Sequence, residues 1–143
     1  MLTAYAIAGA YQTLVWNPLA AVPGATLSEI YVALDAAGET LGAPRVIAWS
    51  AVGVALALVA LIGTILERAP RARHVIAGYL ALLVFAAPSH MFVAFTGGMG
   101  IADAFATSGG DHALWGGMLY LASGLALLAL VGFAVRRAGP SSA

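Results

Sequence analysis

The chain contains no cysteine and no lysine. The first absence removes disulfides, thiolate metal sites and cysteine nucleophiles together. The second leaves six arginines as the strong cations. Charge of either sign is scarce, at 8% of 143 residues, where a soluble domain carries roughly a quarter. The formal net charge is zero, so there is no basic excess to hold nucleic acid. No Gly-x-Ser-x-Gly elbow occurs. Ser89 and His90 are neighbours, and on a helix their side chains diverge by about 100°, too far for a nucleophile–base bond. These gaps point away from an enzyme.

What the chain does have is apolar surface: 62% hydrophobic residues and a mean hydropathy of +0.97. The solvent for most side chains is therefore lipid. Crossing about 30 Å of hydrocarbon takes about 20 helical residues, and four runs are long enough: residues 2–22, 46–66, 75–95 and 113–135. The expected fold is an all-α, polytopic membrane protein with four transmembrane helices in an antiparallel bundle. It forms a single domain over 1–137, followed by a disordered tail over 138–143. The first run is interrupted by Gln12 and Asn17 and followed by Pro18. Without a basic region ahead of it, it reads as a retained span rather than a signal peptide. No Asp or Glu falls inside any predicted span, which argues against an acidic pore ring or a proton-coupled antiporter.

Arginine placement orients the bundle. Arg68, Arg71 and Arg73 lie between spans two and three, and Arg136 and Arg137 follow span four. The positive-inside rule makes that side, and both termini, cytoplasmic. Composition rich in alanine and free of lysine suggests a GC-rich prokaryotic genome, and so a plasma-membrane location. In the first outer loop, Thr26 and Glu29 have capping-box spacing. Leu27, Ile30, Tyr31 and Leu34 recur at helical intervals. A short amphipathic helix is expected there, apolar face down on the headgroup boundary. The second outer loop, "GGMGIADAFATSGGDH", reads as a glycine-rich, lid-like turn.

Lipid tails offer no hydrophobic reason for helices to associate, so small-residue contacts and hydrogen bonds must hold the bundle. Gly53 on span two, and Gly117 and Gly124 on span four, are expected to make close contacts within the chain. Pro88 should bend span three and free a carbonyl that Ser89 or water can repair. His90 then lies about 7 Å below the outer end of its span, within reach of water and level with Asn17, Ser50 and His112. Those four residues are the candidate ligand-binding set.

His90, Met91 and His112 combine imidazole and thioether, which suits copper(I), although no HxxxH or MxxM spacing occurs. His90 with His112 is the candidate pair for haem b. The leading expectation is a cofactor-free, non-catalytic interaction, scaffold or accessory subunit that uses its outer-leaflet face. Its partners would be the lipid bilayer and either copies of itself or a larger membrane complex. The alternatives are a copper, haem or small-ligand protein centred on His90, and an oligomeric pore. Reporter fusions should place the link around Arg71 inside and residue 40 outside. The opposite result would put the polar residues near His90 on the cytoplasmic side.

Overall fold

The computed structural model describes residues 1–138 apart from 68 and 70, so the expected disordered tail falls almost wholly outside the described residues. Helix α1 (Leu2–Tyr11) runs through a single π-helical turn, Gln12–Trp16, into α2 (Asn17–Ala21). Then come α3 (Leu27–Ala36), α4 (Ala43–Leu66), α5 (Ala72–Phe105) and α6 (Leu114–Ala138). Three of these are long and apolar enough to cross a membrane: Ala43–Leu66, Ala72–Phe105 and Leu114–Arg136. Their flanks carry exposed large side chains such as Val59, Phe85, Phe92 and Leu128. In water such a surface would aggregate; in lipid it is the expected exterior.

The first apolar run is thus helical throughout but not one regular α-helix. The wide turn lies immediately ahead of Pro18, and the Asn17 N–H bonds to the Gln12 carbonyl, five residues back. In a regular turn the Pro18 ring would press on the carbonyl of Leu14. One extra residue in the turn opens the space, a usual origin of such bulges. α1 packs mainly on α4, and α5 mainly on α6.

The outer end differs from the expected pair of loops in two ways. α5 does not stop near Phe95 but continues to Phe105, making a rod of about 51 Å that ends where Ala106 turns left-handed, at φ 52°. The glycines taken for a flexible turn lie on this extension because other backbone comes too close for a side chain. A Cβ on Gly100 would sit 2.9 Å from the Thr40 carbonyl oxygen, and one on Gly97 3.1 Å from that of Leu41. Gly98 meets the Gly109 carbonyl in the same way.

Helix α3 forms as expected, and both halves of its capping box are made. The Thr26 N–H donates to Glu29 Oε2 at 2.7 Å, and the Glu29 N–H donates to Thr26 Oγ1. Its apolar stripe, however, faces protein rather than the headgroup layer. Ile30 and Leu34 are fully buried with Ala21, Leu41 and Ile101 in a cluster at the end of the bundle opposite Arg71 and Arg73, flanked by Phe105. A second cluster, of Tyr5, Leu83, Leu119 and Ala126, lies deeper between α1, α5 and α6.

Valine at Gly98 or Gly100 should destabilise the protein by about 1–3 kcal/mol through overpacking, read as a lower melting temperature in detergent. Gly63→Ala, on an open face, should not. The Glu29 carboxyl is held below the usual glutamate range, chiefly by the Thr26 N–H and then by its hydroxyl. Its capping contribution is therefore present above the ordinary glutamate pKa and is lost as pH falls through the lowered value. Amide exchange at the start of α3 should speed up only in that acidic window.

Candidate functional site

The buried polar side chains gather on one inward side of the first helical segment and on the helices facing it. Gln12, Thr13, Asn17, His90 and Ser123 are all buried. Tyr5, Gly9, Thr13 and Asn17 recur every four residues, a polar stripe inside an apolar run. Tyr5 meets α6, Gly9 and Thr13 meet His90 of α5, and Asn17 meets the start of α6.

His90 lies at the centre. Its ring is 0% exposed, enclosed rather than at the water line where its position in the span suggested. Nε2 lies 3.0 Å from the Gly9 carbonyl oxygen and 3.1 Å from Thr13 Oγ1. A carbonyl only accepts, so Nε2 carries a proton and donates. The Thr13 hydroxyl also donates to Gly9 O, at 3.1 Å. Trp49 of α4 lies over one side of the ring, with centroids 5.2 Å apart, and Tyr120 of α6 is 6.1 Å away. Gly9 has no side chain because the Trp49 indole and the His90 ring occupy that space, the indole 2.7 Å from where a Cβ would sit.

Around this centre the links run between helices. The Trp49 indole N–H donates to Ser89 Oγ, and Ser89 donates to the Ala86 carbonyl, three residues back on its own helix. α5 remains helical through Pro88, and the Ser89 bond goes to Ala86 rather than to the Val84 carbonyl that the proline leaves without its N–H donor. Ser50 donates to the Ala6 carbonyl at 3.0 Å, and Gly53 admits the Ala6 methyl close to its backbone, so α4 and α1 are held twice. Deeper in, Ser123 donates to the Leu83 carbonyl at 2.8 Å. With its one proton committed there, its oxygen lies 3.0 Å from the Tyr5 hydroxyl, which donates to it. Towards the end that carries α3, Asn17 Oδ1 accepts from the N–H groups of His112 and Ala113, at 2.6 and 3.4 Å. It caps the start of α6 from a distant part of the chain.

Of the predicted ligand set, then, the structure places His90, Asn17 and Ser50 inside the bundle. Each is bonded to a different backbone group, and Ser50 is only half-buried. His112 is exposed at the surface, with Nε2 against the Ser108 carbonyl at 3.0 Å. Met91 is 63% exposed and points away from the enclosed ring. Within the candidate copper and haem sets, then, His90 is buried while Met91 and His112 are exposed. Among the described residues no group of three or more His, Cys, Asp or Glu side chains is placed to hold a metal.

Comparison with protein-family models, with curated proteins and with solved structures gives no match to this chain. Its chemistry must be read from its own geometry.

Two of the expected structural glycines are placed differently from the third. Gly53 packs as predicted, but nothing lies within 4 Å of a Cβ on Gly117 or Gly124. The close contact on α6 is made by Gly116, one residue round the helix, against Asp111 and Gln12. Gly9 and Thr13 went unnoticed among the alanines; the every-fourth-residue stripe from Tyr5 to Asn17 is the signal that reveals them. Asn17→Ala should cost about 1 kcal/mol as a lost cap. Ser123→Ala should cost roughly 1–3 kcal/mol, because it strands the Leu83 carbonyl and the Tyr5 hydroxyl. Thermal unfolding in detergent checks both, with the exposed Ser108→Ala as the unaffected control.

Proposed function

We propose that this protein is a four-span, non-catalytic subunit of the plasma membrane, with both termini cytoplasmic, that assembles with another membrane helix through α6. The first helical segment, Leu2–Ala21, is the fourth span of an antiparallel bundle. Its twenty residues match the length needed to cross the hydrocarbon, and Gln12, Thr13 and Asn17 are buried and bonded to Asp111, Gly9 and the start of α6. Arg71, Arg73 and Arg136 mark the cytoplasmic end.

The observation that carries the assembly reading is the outward face of α6. Gly117 and Gly124 stand one heptad apart with Val131 beyond them, and neither glycine meets anything in its own chain. Such positions let a second helix backbone approach closely. The contact lies on this lateral face rather than on the outer loops, because the outer loop residues are already packed into the chain's own cluster.

The other readings draw less support. Ser89 bonds to Ala86 and Trp49 while His90 bonds to Gly9, so no nucleophile–base pair forms. The hydroxyls and amides that a pore would need point into the bundle and are bonded there. Copper or haem b at His90 would need ligands that the fold keeps apart.

A chain without native cysteine allows a direct test. Single cysteines at Gly117 or Gly124 should give an oxidative cross-link in native membranes, to a second copy or to a larger partner. Val59→Cys, on the exposed flank of α4, should give none. Cross-linking that is absent at α6, or equal at both faces, would sink the assembly reading.

A further inference from the structure

The end of the bundle that carries Arg71 and Arg73 is charged one way. Five of the six arginines fall within residues 67–74 and 132–143, and Glu67 is the only acidic residue in either stretch. No acidic side chain stands in the first turn of α5. An excess of one sign at a membrane surface attracts the other. Arginine suits phosphate in particular, because its planar fork donates two parallel N–H bonds to neighbouring oxygens.

Two clefts open beside these charges, and both are built the same way. In one, of about 120 Å³, Arg73 and His74 of α5 lie above Ala77, and Leu130, Phe133 and Ala134 of α6 form the facing wall. In the other, of about 290 Å³, Arg136 lies above Phe133, Gly132 and Ala129. Phe133 lines both, so the clefts adjoin, with an arginine of α5 at one and an arginine of α6 at the other. Below the charges the lining turns apolar, over about 6 Å from Arg73 to Ala77 and about 10 Å from Arg136 to Ala129. Nothing lies within 4 Å of a Cβ on Gly132, so its missing side chain leaves a dent in the exposed surface rather than a helix contact.

That combination selects the occupant. A free phosphate ion would use the arginines and leave the apolar floor uncovered. An apolar helix from another protein would cover the floor and leave the arginines facing no opposite charge. An amphiphile with a phosphate and a hydrocarbon chain satisfies both, and basic pockets between membrane helices hold such head groups. A zwitterionic phospholipid brings its own ammonium, which cancels the charge that the arginines need. An anionic one does not.

We propose that the crevice between α5 and α6 at this end is a binding site for an anionic phospholipid. Arg73 and Arg136 hold its phosphate from either side of Phe133, and a hydrocarbon chain lies along Gly132 and Ala129. The site needs only that α5 and α6 cross the membrane, for which both are long and apolar enough. It is separate from the assembly contact, because Phe133 lies about 180° round α6 from Gly124. Cross-linking through Gly117 or Gly124 is read independently, so either proposal can fail without the other.

The test is native mass spectrometry of the full chain, released from nanodiscs of phosphatidylglycerol and phosphatidylcholine with identical acyl chains. Thermal unfolding in detergent accompanies it, with either lipid added, or with sodium phosphate at the lipid's concentration. Phosphatidylglycerol should be retained in preference to phosphatidylcholine and should raise the melting temperature; sodium phosphate should not. Arg73→Gln and Arg136→Gln should each lower retention about tenfold, the loss of one charge-assisted contact. Gly132→Leu should lower it with every arginine in place, because the new side chain fills the dent. That position is open, so the variant should fold, and the lipid-free melting temperature of each variant verifies this. Arg71→Gln is the control: Arg71 lies at the same end but lines neither cleft, and its loss should leave retention nearly unchanged. Any one of four results would overturn the proposal. They are equal retention of the two lipids, equal stabilisation by sodium phosphate, a loss in Arg71→Gln as large as in Arg73→Gln, or a Gly132→Leu variant that retains lipid as the parent does.

Discussion

The bond from His90 Nε2 to the Gly9 carbonyl joins α5 to α1 in surroundings where neither group has water to turn to. In a soluble protein the alternative to such a bond is hydration, and the net gain is about 1 kcal/mol. Inside a bilayer, hydrophobic burial gives one apolar helix no preference for another, and polar groups must find partners within the protein. Each remaining internal link has the same logic and joins a different pair: Trp49 to Ser89, Ser50 to Ala6, Ser123 to Leu83 and Tyr5, and Asn17 to the start of α6. The close approach of Gly9 to Trp49 and of Gly53 to Ala6 brings the helices near enough for these bonds to form.

Because almost every interior side-chain polar atom among the described residues is engaged, the interior resembles a set of fastenings more than an open binding chamber. The exceptions are His90 Nδ1 and Gln12 Oε1. The π turn ahead of Pro18 has a related role: it keeps the first segment helical past the proline, and Asn17, the residue that follows it, reaches the N–H groups of His112 and Ala113. The end of the bundle that carries α3 is closed by protein too, since α3 and the extension of α5 bury Ile30, Leu34 and Ile101 against one another. The exposed apolar surface is lateral, and on α6 it includes glycines with empty space beside them.

The legible part of this architecture was the part governed by period and composition. The apolar runs marked the helices, and Thr26 with Glu29 marked the start of α3. Asn17, Ser50 and His90 stood out as polar residues where lipid tolerates few. The misread parts share one cause. Gly97, Gly98 and Gly100 look like a turn in a one-dimensional reading, because the backbone of residues 40, 41 and 109 that excludes a side chain there is distant in sequence. Gly116 and Gly117 are equivalent as letters, and only the direction of Asp111 and Gln12 separates the packed one from the exposed one. His90 sits near the predicted end of its span, yet the helix runs on beyond Phe95 and the ring is sealed by Gly9, Trp49 and Tyr120.

The sequence by itself determined the solvent of this protein, its helical class, three membrane-length helices and the cap of α3. Those properties depend on local propensity and summed hydropathy, which a single segment carries alone. The tertiary structure decided which polar residues meet, which glycines are contacts, and that His90 is enclosed with one nitrogen bonded and the other bare. Those outcomes depend on the facing of helices up to 118 positions apart, as between Tyr5 and Ser123, and in lipid that facing is set by hydrogen-bond satisfaction and close packing rather than by apolar burial.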